Sequence, residues 1–223
     1  MTTRWRYLGS LITTKLIVGV TGILLFAYLI VHIAGNVIVF LGRDTFNTYS
    51  HALISNPLVI PVEIGLVAVF LIHLFKAIRM TVVNQQARPV KYAKKQWAGG
   101  TSRKSLASSS MILTGVALIV FIPIHVWTFK YGPYYDYGNG IRDLYRMEVE
   151  NFSSPIAVVL YVFAMVLVGL HLWHGVGSSF QSLGLSGPRF TPFIQAVGKV
   201  SAIAIAGGFI VITLWVYLVA GRS

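Results

Sequence analysis

Five apolar stretches, at about residues 16–41, 58–83, 106–129, 155–180 and 193–219, occupy most of this chain of 223 residues. Each is long enough to cross a hydrocarbon core of about 30 Å, which takes roughly 20 helical residues. A backbone in lipid must satisfy its own N–H and C=O groups, so only helices and closed barrels span it. None of the stretches alternates with period two, and all are too long for barrel strands. The expected fold is therefore an all-α membrane protein of five transmembrane helices, a single integral-membrane domain over 1–223. Only 11% of the residues are charged, against about a quarter in soluble domains.

The N-terminal MTTRWRYLGS has the positive character of a signal peptide. The apolar run after it is too long and ends in no small-residue cleavage site, so it is expected to remain as the first span. Pro57 and Pro155 fall where a first helical turn tolerates proline. Pro123 lies inside the third run and is expected to kink it two residues before His125. No connecting segment is long enough to bury its own core. The loop 130–154, rich in Tyr and Gly, is expected to form a small cap.

The net charge of +12 is better explained by orientation than by nucleic-acid binding. Arg88, Lys91, Lys94, Lys95, Arg103 and Lys104 crowd one connecting segment, and Arg4, Arg6, Lys15, Lys76, Arg79, Arg189 and Lys199 belong to the same side. The six acids, Asp44, Glu63, Asp136, Asp143, Glu148 and Glu150, lie on or toward the other. The N-terminus is thus expected in the cytoplasm and the C-terminus outside. The basic face suits anionic lipid or an acidic soluble partner. There is no cysteine, which excludes protein-ligated iron–sulfur clusters, covalently attached haem and disulfides.

Ionisable side chains inside a membrane are costly and mark function by default. Four spans carry deep histidines: His32, His73, His125 and His171. Helix rise places His32 and His125 in the outer half of the membrane and His73 and His171 in the inner half. Each half then receives one imidazole from each of two helices, as two stacked bis-histidine haems require. His174, one turn from His171, is the alternative ligand there or a hydrogen-bond partner of a haem propionate. Gly35 and Gly175 follow the ligands at helical spacing and are expected to give the macrocycle room. Lys76 and Arg79 are candidate propionate partners, or span-end cations reaching for the interface. His51 is expected at the surface or at the edge of a quinone site. Glu63, the only acid inside a span, is expected to be desolvated, with a raised pKa suited to proton exchange with a quinone near the outer haem.

Two segments are more specific. HIAGN at 32–36, continuing as VIVFLGRDTFNTYSHAL, resembles the first helix and following loop of the succinate dehydrogenase cytochrome b558 family. GLHLWHGVGSSFQSLGL resembles the fourth-helix signature of the same family, the single-chain, five-helix, dihaem anchor type. The resemblance implies that His32, His73, His125 and His171 are the axial ligands of two haems b. It implies a flavoprotein subunit and an iron–sulfur subunit as partners, and menaquinone as the usual acceptor on the outer side of a bacterial cytoplasmic membrane. Glu63 looks like the second-helix glutamate at the quinone site of related fumarate reductases. His174 departs from relatives that carry asparagine there.

The expected role is to pass electrons from the iron–sulfur partner through two haems to a quinone, with Glu63 relaying protons. Nothing in the sequence suits flavin or the dicarboxylate, so succinate oxidation belongs to the partner. Two other readings stand beside it. One is an anchor of quinol:fumarate reductase or of another quinone-linked dehydrogenase; the other is a haem-free proton-coupled carrier.

Overall fold

A computed structural model describes residues 10–87 and 106–222. Helix α1 (Leu11–Asn36) is prolonged by a 3-10 turn, Val37–Leu41, and followed by α2 (Arg43–Ile54) and α3 (Val59–Gln86). A short helical turn, Leu106–Ser109, leads into α4 (Met111–Lys130). Strands β1 (Asp136–Gly138) and β2 (Ile141–Arg142) form a small antiparallel hairpin before α5 (Leu144–Phe152). Helices α6 (Pro155–Ser182) and α7 (Phe190–Leu218) complete the chain. The described residues are thus all-α apart from that hairpin. Five helices, α1 with its extension, α3, α4, α6 and α7, are long and apolar enough to cross a membrane.

The ends differ from the hydropathy bounds for local reasons. Helix α1 starts at Leu11 because the Ser10 hydroxyl caps it, accepting from the Thr13 amide at 3.1 Å. Lys15 therefore sits inside the first span. Helix α4 starts only at Met111, because Ser110 interrupts the regular backbone (φ −94°, ψ 0°). Pro155 occupies the first turn of α6, as expected. Pro123 lies inside α4, where its missing N–H leaves the Ile119 carbonyl without its helical donor.

Helices α6 and α7 pack along their whole length. Small residues let them approach: a Cβ on Gly169 would stand 3.0 Å from that of Ala206, and one on Gly198 3.3 Å from that of Val176. Ala164, Met165, Val168 and Leu172 are buried there with Ala202 and Ile205. Helix α1 packs on α3, α6 and α7, while α4 packs chiefly on α6. Helix α3 leans chiefly on α1 and contains no buried residue. Among the described residues α3 and α4 share no extensive contact, and an internal space lies between them.

The loop 130–154 does form a cap. Residues Gly138, Asn139 and Gly140 turn the hairpin at positive φ (109°, 55° and 75°). Asp143 then ties the cap to α2. Its carboxylate accepts from the Arg146 amide at 3.0 Å, capping α5, and from Arg43 Nε at 3.0 Å and Asn47 Nδ2 at 2.7 Å. Asn47 Oδ1 in turn accepts from the Tyr145 amide at 3.0 Å. Burial alone would raise the Asp143 pKa, but the bonds from Arg43, Asn47 and the Arg146 amide, with the Arg43 charge, hold it below its ordinary value of 3.8.

The charge separation expected from sequence holds for the residues in view. Lys15, Lys76, Arg79, Arg189 and Lys199 lie toward one end of the helices, and the acids gather around the cap at the other. Arg4, Arg6 and the basic run from Arg88 to Lys104 lie outside the described residues.

Candidate functional site

The space between the helices is one cavity of about 1490 Å³. Pockets for a single small molecule run to about 300–1,000 Å³, so it has room for more than one occupant. Its wall is mostly apolar and comes from α1, α3, α4 and α6, with α2 and α5 closing the outer end. His32, His73, His125 and His171 all line it, and so does His174.

In the outer half, His32 and His125 face each other with ring centroids 5.8 Å apart. His32 is stacked on Tyr28 and flanked by Phe209, each at 5.4 Å. His125 is packed by Phe121 (5.6 Å), Phe129 (5.2 Å) and Tyr161 (6.0 Å). The buried Nδ1 of His125 has no hydrogen-bond partner in the structure.

The inner half is built differently. His73 Nδ1 lies 3.0 Å from the Thr21 hydroxyl, and His171 Nδ1 lies 3.2 Å from the Thr114 hydroxyl. Each hydroxyl already donates to its own helix: Thr21 to the Ile17 carbonyl at 2.7 Å, and Thr114 to the carbonyls of Ser110 and Met111, both at 3.1 Å. With the hydroxyl proton committed, each threonine oxygen accepts from an imidazole Nδ1–H. Both Nε2 atoms are left as bare nitrogens, the form a metal binds. Thr114 thereby selects His171 over His174 as the nitrogen with a fixed tautomer.

Glycines make the space. A Cβ on Gly22 would lie 3.3 Å from His73 Cε1, and one on Gly115 would lie 3.7 Å from His171 Cε1. Sequence reasoning did not single out Thr21, Thr114, Gly22 or Gly115. Gly35 and Gly175 do line the cavity, but Gly35 yields its space to Tyr49 of α2, whose hydroxyl a Cβ would meet at 3.0 Å. A Cβ on Gly175 would stand 3.9 Å from Met111 Cε.

Other expectations change. Glu63 is not an isolated carboxyl: it forms an ion pair with Lys130 at the outer edge. Lys76 and Arg79 are half-buried but lie beside the lining stripe, which runs through His73, Ala77, Met80, Thr81 and Asn84. Leu74, Ile78 and Val82 line the cavity too, so the face is turned away from Lys76 and Arg79. Lys15 of α1 lines the end of the cavity away from the cap instead, together with Asn84, Ser178 and Gln181. His51 is exposed on α2 and is not among the lining residues. At the outer end the lining includes Glu148 of α5, an acid that sequence reasoning left in the loop.

The donor set suits a porphyrin iron better than a bare ion. Among the described residues no three His, Asp or Glu side chains gather as a metal site. A protein-bound zinc or non-haem iron takes three or more protein ligands. A macrocycle brings its own four and needs only an imidazole on each side, which is what each half offers.

No family model, no curated protein and no solved structure matches the chain.

Proposed function

We propose that this chain is a dihaem cytochrome b membrane anchor of a succinate:quinone oxidoreductase. It passes electrons from a cytoplasmic iron–sulfur subunit to a quinone, menaquinone in the reading taken from its sequence resemblance. The observation that carries the proposal is the sorting of four imidazoles from four helices into two pairs along one internal cavity.

His73 and His171 would hold the inner haem, and His32 and His125 the outer one. A bound bis-histidine haem supplies a one-electron carrier at each level. The protein's own part is then positional. Thr21 and Thr114 fix the inner imidazoles by accepting their Nδ1 protons, a support that usually matters to affinity by about 10–100-fold. Tyr28, Phe121, Phe129 and Phe209 wall the outer pair and exclude water. Lys15 places a cation at the cytoplasmic mouth, where it would meet anionic groups of the inner cofactor.

A partner flavoprotein and iron–sulfur subunit, and placement in a bacterial cytoplasmic membrane, belong to the same proposal. The test is the chain purified from membranes with whatever co-purifies. Two protohaems per chain by pyridine haemochrome, with flavin and iron–sulfur subunits attached, are expected. A colourless preparation, or one haem per chain, would overturn the proposal. Haem with a different soluble enzyme attached would reassign the partner.

A further inference from the structure

The acids of this chain are almost all answered by a neighbour. Asp44 accepts from the Tyr137 hydroxyl, Glu63 pairs with Lys130, Asp143 with Arg43, and Glu150 with Arg146 and Tyr135. Asp136 turns back to the Gly138 amide at 3.0 Å. Glu148 is the exception. It is 6% exposed and lines the outer end of the cavity. Among the described residues it accepts no hydrogen bond and joins no ion pair.

Its surroundings at that end are Phe46, Phe129, Leu144, Met147 and Phe152, with the ring of Tyr161. The Tyr161 hydroxyl is also buried without a hydrogen-bond partner. Buried polar groups are nearly always answered, so an unanswered carboxyl that lines a cavity points to something that sits against it. Burial pushes the Glu148 carboxyl up to about 8, so at neutral pH it carries its proton and acts as a donor. The complementary ligand is flat and apolar, fits among phenyl rings at the membrane's edge, and ends in an oxygen that accepts a hydrogen bond.

We propose that Glu148 donates a hydrogen bond to a carbonyl oxygen of a quinone held at the outer end of the cavity, under the cap. The identity of the ligand rests on the quinone-linked function proposed above; the position of the donor rests on the geometry alone. It moves the carboxyl expected to serve the quinone from Glu63 on α3 to Glu148 on α5.

The probe is 2-methyl-1,4-naphthoquinone, titrated onto the purified full chain and followed by quenching of tryptophan fluorescence. Glu148→Leu is expected to weaken binding roughly tenfold, the loss of about one hydrogen bond from a buried site. Glu148→Gln keeps an N–H donor and is expected to stay within about threefold of the wild type. In infrared difference spectra the wild type should show a protonated-carboxyl stretch that shifts when the probe binds and that is missing from Glu148→Gln. Wild-type affinity in Glu148→Leu, or no probe binding by the wild type, overturns the proposal. If Glu148→Leu does not fold, a carboxyl band that ignores the probe does so. Haem content measured on the same samples tests the electron-transfer reading separately: quinone binding that depends on Glu148 in a colourless protein would keep this inference and reject that one.

Discussion

His73 on α3 and Thr21 on α1 meet at 3.0 Å, and the hydroxyl between them spends its own proton on the Ile17 carbonyl. That small arrangement decides which nitrogen of His73 faces the cavity with a lone pair. Thr114 repeats it for His171 at 3.2 Å. The inner pair is therefore oriented by threonine hydroxyls, whereas the outer pair is held mainly by aromatic packing, with Asn36 Nδ2 3.4 Å from His32 Nδ1 and His125 Nδ1 unanswered.

Thr21→Val and Thr114→Val are each expected to loosen the inner haem by about 10–100-fold while sparing the outer one. Haem retention during dilution, followed by the reduced α-band, measures this. Equal loss of both haems would show that the threonines act only through packing.

The pairing makes its own demand. His73→Ala and His171→Ala are expected to remove the same haem, and His32→Ala and His125→Ala the other. Low-temperature spectra and redox titration of the four variants decide it. Loss of one common haem from His73→Ala and His32→Ala would break the pairing.

Gly22→Leu and Gly115→Leu place side chains where even a Cβ would stand 3.3 Å and 3.7 Å from the ring carbons of His73 and His171. Each is expected to exclude the inner haem without abolishing membrane insertion. A haem-to-protein ratio that falls from two to one is the expected result.

Glu63 and Glu148 should behave as opposites. Glu63→Gln frees an exposed Lys130 and is expected to cost under about 1 kcal/mol, as exposed ion pairs do, with little change in quinone turnover. Glu148→Gln is expected to slow turnover with both haems in place. Comparable turnover in the two variants would remove the distinction.

Glu148 also predicts a pH dependence of stability. Burial pushes its folded pKa up from the ordinary 4.5 to about 8. The folded chain therefore binds this proton more tightly, and the stability it contributes is full below about 4.5 and lost as pH rises to about 8. Thermal melts of the wild type are expected to fall across that window, and those of Glu148→Gln to fall less. Asp143 has the reverse sign: held below 3.8, it contributes above that value and fails as pH drops.

The spans and the histidine pairs were legible because both follow from rise per residue along straight helices. Depth is a one-dimensional quantity, and sequence supplies it. What was not legible depends on pairing across distance. Thr21 and Thr114 meet histidines 52 and 57 residues away, and nothing in their own spans marks those hydroxyls. Lys130 reaches Glu63 across 67 residues and turns an expected proton carrier into half of an ion pair. Lys76 and Arg79 had a suitable spacing from His73 but the wrong angle around the helix. Glu148 sits in DLYRMEVENF, which reads as a polar loop; only the anchoring of α5 by Asp143 turns that carboxyl inward.

Helix α3 rests on α1 along one flank and meets α4 on the other chiefly through the Glu63–Lys130 ion pair at its end. A rod so lightly fastened is expected to open at lower cost than its more deeply packed neighbours. Under the proposed haem binding, the iron that His73 shares with His171 would tie α3 to α6 as well, a second fastening that the polypeptide alone does not give it.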